Sequence, residues 1–175
     1  MRTHVWNWNG LEVAWNKSEE KIEAPFSTLL IHGFGANKEH WRHNQNILGT
    51  EVPCYAIDLI GFGESSQPPA NISGETKTKN NFCYNFENWS QQITDFSREI
   101  INEPVLLIGN SIGAVIALRA AQKLKDHCKG VILINCAQRM LDDKQLINQT
   151  KLQTLIRPVL KSFTRQRWIS KSIFK

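Results

Sequence analysis

Short, wholly apolar runs alternate along this chain with stretches in which apolar residues recur every third or fourth position. FSTLLIHGFG (Phe26–Gly35) carries one such run, Thr28 to Ile31, into a glycine-rich loop, as a strand buried on both faces would. PCYAIDLIGFGESS repeats the plan, with a strand to about Leu59 and a loop holding Gly61 and Gly63; PVLLIGN and VILIN (Val131–Asn135) supply two more strands. Between them, ANKEHWRHNQNILG predicts a helix with Trp41, Ile47 and Leu48 on its buried side and Gly49 as its stop. NFENWSQQITDFSREIINE sets Phe86, Trp89, Ile93, Phe96 and Ile100 at helical spacing, with Asn85 as N-cap. The run from Ile112 predicts a helix to about Cys128, ended by Gly130, with Lys123, Lys125 and Lys129 in its last turns, where cations suit the helix dipole. At the N-terminus, HVWNWNGLEVAW places two strand-like runs around Asn9-Gly10 and predicts a β-hairpin. Residues 64–83 read as a surface loop, and Lys151–Phe163 as an amphipathic helix kinked at Pro158.

Apolar rather than alternating strands, separated by helices, imply an α/β fold with a mostly parallel sheet flanked by helices. At 175 residues, one domain is expected. No run approaches the roughly 20 apolar residues of a membrane span, and the N-terminus lacks a signal peptide's apolar stretch, so the expected location is cytoplasmic. The four cysteines, Cys54, Cys83, Cys128 and Cys136, form no C-x-x-C pair and read as neutral thiols; neither metal nor cofactor is implied. The net charge of +5 belongs to the tail: residues 151–175 hold seven basic groups and no acid, which leaves residues 1–150 at −2. No nucleic-acid module accompanies that charge, and a solvated helix face is its plainest reading, with contact to an anionic membrane surface as the alternative.

The chemistry centres on Gly109-Asn110-Ser111-Ile112-Gly113, a G-x-S-x-G between a strand and a helix. That pattern holds a serine at a strained strand-to-helix corner with its hydroxyl exposed. The helix that follows aims unpaired N–H groups at the serine, so the N–H of Ile112 can donate to an oxyanion, and the N–H of Phe34 in the HGFG loop can supply the second donor. Alternatively, Ser111 is simply a helix N-cap. Asp58 closes a strand before a glycine turn and is expected to bond local N–H groups.

Three ordered motifs, His32-Gly33-Phe34-Gly35, Asp58-Leu59-Ile60-Gly61-Phe62-Gly63-Glu64-Ser65 and Gly109 to Gly113, resemble the N-terminal part of an α/β-hydrolase, nearest the esterase-like branch of cyanobacteria and chloroplasts. The resemblance covers residues 1–140. It implies Ser111 as nucleophile, Phe34 and Ile112 as oxyanion hole, an ester, thioester or amide bond as target with a small or lipid-like ester as the leading substrate, and residues 141–175 as the start of a helical lid after the sixth strand. A serine at the elbow argues against the dehalogenase and epoxide hydrolase branches, which use aspartate.

In this family the acid and the histidine follow the nucleophile. Only His127 follows Ser111, and sixteen helical residues carry it roughly 24 Å away. His4, His40 and His43 lie on other elements; His32, at the mouth, is a substitute base at most. No carboxylate follows VILIN until Asp142 and Asp143. The expectation is therefore an incomplete serine hydrolase whose acid and histidine are absent. Either the gene is truncated, or a separate C-terminal half supplies them, or a noncatalytic remnant or interaction domain persists. The flank of VILIN should then be an open apolar edge.

Overall fold

The computed structural model describes residues 1–19, 22–70 and 82–136. Six strands form one sheet: β1 (Thr3–Trp8), β2 (Leu11–Lys17), β3 (Ser27–Ile31), β4 (Cys54–Ile57), β5 (Val105–Asn110) and β6 (Cys128–Ile134), in the order β1-β2-β4-β3-β5-β6. The β4-β3-β5-β6 half is parallel, and β1 and β2 join antiparallel at one side. The hairpin closes at Asn9-Gly10, both at positive φ (53° and 82°), with Trp8 facing Leu11. That is the two-residue turn whose twist matches the strands.

Helices α1 (Arg42–Leu48), α2 (Phe86–Phe96) and α3 (Ile112–Leu124) cover the sheet. Successive strand residues face opposite sides. Cys54, Ala56, Leu30 and Ile108 meet Trp41 and Leu48 at the α1 side. On the other side, Tyr55 of β4 and Trp6 and Trp15 of the hairpin pack edge-on to Phe96 of α2. α2 begins as expected, the Asn85 side chain accepting the N–H of Asn88. It ends in a π-helical turn, Ser97–Ile101, and the extra residue moves Ile101 rather than Ile100 into the core.

Expectations for two of the helices are corrected. The first helix opens as a 3₁₀ turn, Lys38–Trp41, and buries Trp41 and Gln45 while Ile47 is 72% exposed. Gln45 wins the buried position because its amide donates to the carbonyl of Cys54. Gly49 does end this helix, but at φ −65°; glycine is required because a Cβ would stand 2.5 Å from that of Ser18. α3 stops at Leu124, where Lys125 turns to φ 53°. Cys128 to Ile134, including Lys129 and Gly130, is strand, so only Lys123 caps that helix electrostatically, and it also bonds Glu87 and Gln91 of α2. The surface loop between 64 and 83 lies partly, and the lid, the Lys151–Phe163 helix and the basic tail wholly, outside the described residues. Among the described residues β6 has no second neighbour, and Ile132, Leu133 and Ile134 are 39–45% exposed. No helix there is long and apolar enough to cross a membrane.

Candidate active site

Parallel register brings the C-terminal ends of four strands to one edge: Ile31 pairs with both Ile57 and Gly109, and Asn110 pairs with Ile134. The loops that leave those ends carry His32, Asp58 and Ser111, and such an edge is where open α/β sheets build sites.

Ser111 sits at φ 56°, ψ −116°, a conformation non-glycine residues avoid. Two glycines make the corner possible by closeness of approach. A Cβ on Gly109 would overlap the carbonyl of Gly113, and one on Gly113 would overlap the carbonyl oxygens of Ile31 and His32. The Ser111 N–H is held by the carbonyl of Ile134 at 2.9 Å, which ties the corner to β6. Ser111 occupies the N-cap position of α3, but its side chain makes no capping hydrogen bond. Ile112, first residue of α3, has no intrahelical acceptor for its N–H.

The loop after β3 comes up against the serine. A Cβ on Gly33 would lie 3.3 Å from the Cβ of Ser111 and from the carbonyl of Asn110. Phe34, next in line, is 38% exposed, its ring edge-on to Phe62 at 5.4 Å. The peptide between Gly33 and Phe34 is oriented by His32. The Leu59 N–H donates to Nε2 of His32 at 3.0 Å, so that nitrogen carries a lone pair. The proton is therefore on Nδ1, which donates to the Gly33 carbonyl at 2.7 Å. Burial holds the His32 pKa below its usual value, against the opposing pull of the Gly33 bond and of Asp58. With both nitrogens committed and no exposed surface, His32 cannot act as a substitute base.

Asp58 is fully buried and structural. Its Oδ1 accepts the Lys38 N–H at 2.5 Å, and its Oδ2 accepts the Glu64 N–H at 2.9 Å and the Lys38 ammonium at 3.3 Å. A bond to local N–H groups is what the sequence predicts for Asp58, and Glu64 supplies one; Lys38, which is 2% exposed and also bonds Glu64, is not foreseen. Burial would lower the Lys38 pKa, but Glu64 and Asp58 together outweigh it and hold the ammonium above its usual range; Lys38 in turn holds the Glu64 carboxyl low. Hydropathy patterns are blind to a buried lysine whose partners lie 20 and 26 residues away.

The remaining histidines are placed elsewhere: His4 on β1, stacked on Trp15; His40 in the 3₁₀ turn; His43 on α1; and His127 past the far end of α3. All four cysteines are free, and among the described residues no cluster of His, Cys, Asp or Glu could hold a metal ion.

A family model described as the alpha/beta hydrolase fold matches residues 29–163. The chain belongs to the α/β-hydrolase family. Pheophytinase, chloroplastic, of Arabidopsis thaliana is 28% identical over 66% of this chain and 28% of its own length. The human 1-acylglycerol-3-phosphate O-acyltransferase ABHD5 is 29% identical over 72% of this chain and 34% of its own. Among solved structures, a membrane phospholipase A described as a bacterial virulence factor superposes with a TM-score of 0.64 at 28% identity, covering 77% of this chain and 39% of that one. The chain thus spans about a third of the length of the curated α/β-hydrolases it matches.

Proposed function

We propose that Ser111 is the nucleophile of an acyl-transfer reaction on an ester-type bond, with the main-chain N–H groups of Phe34 and Ile112 as the oxyanion hole. The observation that carries this reading is the corner itself. A serine in a strained conformation, packed between two glycines that admit no Cβ, makes no capping bond among the described residues, which leaves its hydroxyl available for chemistry. A lipid-like or small ester suits the site because the exposed Phe34 ring, backed by Phe62, is an apolar surface on the loop that meets the serine at Gly33. The names of a phospholipase and of an acylglycerophosphate acyltransferase among similar proteins point to the same class.

The five histidines of the chain leave Ser111 without an imidazole base. We infer that the imidazole base belongs to polypeptide outside these 175 residues, whether continuous with them or a separate chain. A fluorophosphonate probe should label the wild-type chain at Ser111, slowly, and not label Ser111→Ala. Equal labelling of both removes the assignment. The missing base also favours a second reading, a noncatalytic half-fold that binds a partner. It predicts no turnover of p-nitrophenyl esters even after the complementary polypeptide is added, and ester hydrolysis lost in Ser111→Ala would eliminate it.

A further inference from the structure

The loop that bears the Phe34 N–H is fastened at both ends to one short segment. At its start, His32 holds the Gly33 carbonyl and accepts from Leu59. At its end, Lys38 gives both its main-chain N–H and its ammonium to Asp58, the residue before Leu59. A buried ammonium costs several kcal/mol unless paired and hydrogen-bonded, and an unbranched apolar side chain would fill the same volume without that cost. What the charge adds is direction. Its acceptor is itself immobile: Asp58 also takes the Glu64 N–H, and Gly63 lies so close that a Cβ would overlap the carboxylate. Glu64 closes the remaining side, bonding Lys38 and the Thr3 hydroxyl.

A trans peptide points its N–H opposite its C=O, so the rotation of the Gly33–Phe34 plane decides where the Phe34 N–H aims. We propose that Lys38 is a positioning residue for the oxyanion hole: through Asp58 it fixes the far end of the loop, and so the direction of the Phe34 donor. This rests on the reading of that N–H as an oxyanion donor, and extends it to a side chain that never meets substrate. A displacement near 1 Å at a reacting centre costs about 100-fold in rate, and a lost oxyanion donor about 100- to 1,000-fold.

The experiment compares Lys38→Met, Lys38→Arg and Trp8→Phe in the full chain. Trp8→Phe removes a bond to Asp95 at the hairpin and serves as a control for destabilisation away from the loop. At pH 9, fluorophosphonate labelling of Ser111 should fall by about 10- to 100-fold in Lys38→Met, recover at least in part in Lys38→Arg, and stay within about twofold of wild type in Trp8→Phe. Amide exchange in peptides spanning residues 32–38 should quicken at least about tenfold in Lys38→Met, with β3 and β5 unchanged. Wild-type exchange in that loop, or a labelling loss no greater than that of Trp8→Phe, overturns the proposal. Should the wild-type chain fail to label at Ser111, the nucleophile assignment fails, and loop exchange alone decides whether Lys38 holds the loop.

Discussion

Substitution at His32 separates the two hydrogen bonds it makes. His32→Gln extends an amide oxygen toward the position of Nε2 and keeps an acceptor for the Leu59 N–H. His32→Asn instead offers a donor at the level of Nδ1 and leaves that N–H orphaned, in a residue with no exposed surface. An unsatisfied buried donor costs about 1–3 kcal/mol. The Gly33 carbonyl is less exacting, because it also accepts from the Ala36 N–H at 3.3 Å, and losing one of two partners there costs about 1 kcal/mol. Stability should therefore fall in the order wild type, Gln, Asn, with roughly 2–4 °C of melting temperature per kcal/mol for a chain of this size. Urea denaturation at pH 7.5 measures it, and an Asn variant as stable as the Gln variant refutes the tautomer assigned to His32. The same assignment fixes the sign of a pH effect. Because burial lowers the folded-state pKa, the unfolded chain binds the proton more readily below about pH 6.5. The contribution of His32 is whole above that pH and is lost as pH falls toward the lowered folded value, at up to about 1.4 kcal/mol per unit. The stability difference between wild type and His32→Gln should shrink from pH 7.5 to pH 5; a constant difference refutes a neutral buried imidazole.

Three further outcomes follow from packing and strain. Ser111→Gly should raise stability by about 1–2 kcal/mol in thermal denaturation while abolishing probe labelling, since glycine occupies φ 56° without penalty. Gly113→Ala should cost about 3 kcal/mol or more, because the methyl group meets the carbonyls of Ile31 and His32, which are fixed in β3 and its loop. Burial pushes the Cys54 thiol up to about 12, so at pH 8 the native chain should resist alkylation at Cys54, while peptide mapping after urea finds it modified.

What the sequence disclosed, and what it hid, divides along the range of the interactions involved. The hairpin turn, the Asn85 cap and the Gly-x-Ser-x-Gly corner are each set within five residues, and each is legible because one local conformation suits those side chains. Errors arise where a distant partner decides. Ile47 has the spacing of a core residue, yet Gln45 displaces it by bonding to β4. Lys38 looks like a solvent-facing charge until Asp58 and Glu64 fold over it. The end of α3 differs for a local reason: Gly130 resembles a helix stop, whereas the chain turns earlier, at Lys125, which sits at positive φ. The candidate site shows the same division. Ser111 and its two glycines are local; the His32 ring and the Lys38–Asp58 pair, which aim the Phe34 loop, act across 20 to 27 residues.

On the proposed reading, the site has donors for a negative oxygen but, among the described residues, no base beside Ser111, and these two contributions to rate are separate. In serine hydrolases, loss of the base costs about a factor of 10⁶, while oxyanion donors and binding alone leave about 10³–10⁴ over water. For this chain by itself, hydroxide is then the strongest base available to Ser111. Fluorophosphonate labelling should climb close to tenfold per pH unit between pH 7 and pH 10, with no plateau, since a serine hydroxyl does not titrate in that range. An imidazole base would instead give a rate that rises through a pKa near 6–7 and levels off. Such a plateau would mean that one of the five histidines reaches the serine. His32 is the one whose neighbouring backbone touches it, so its hydrogen bonds to Leu59 and Gly33 would have to break first. The pH profile of one labelling reaction thus decides whether the proton acceptor lies inside these 175 residues or outside them.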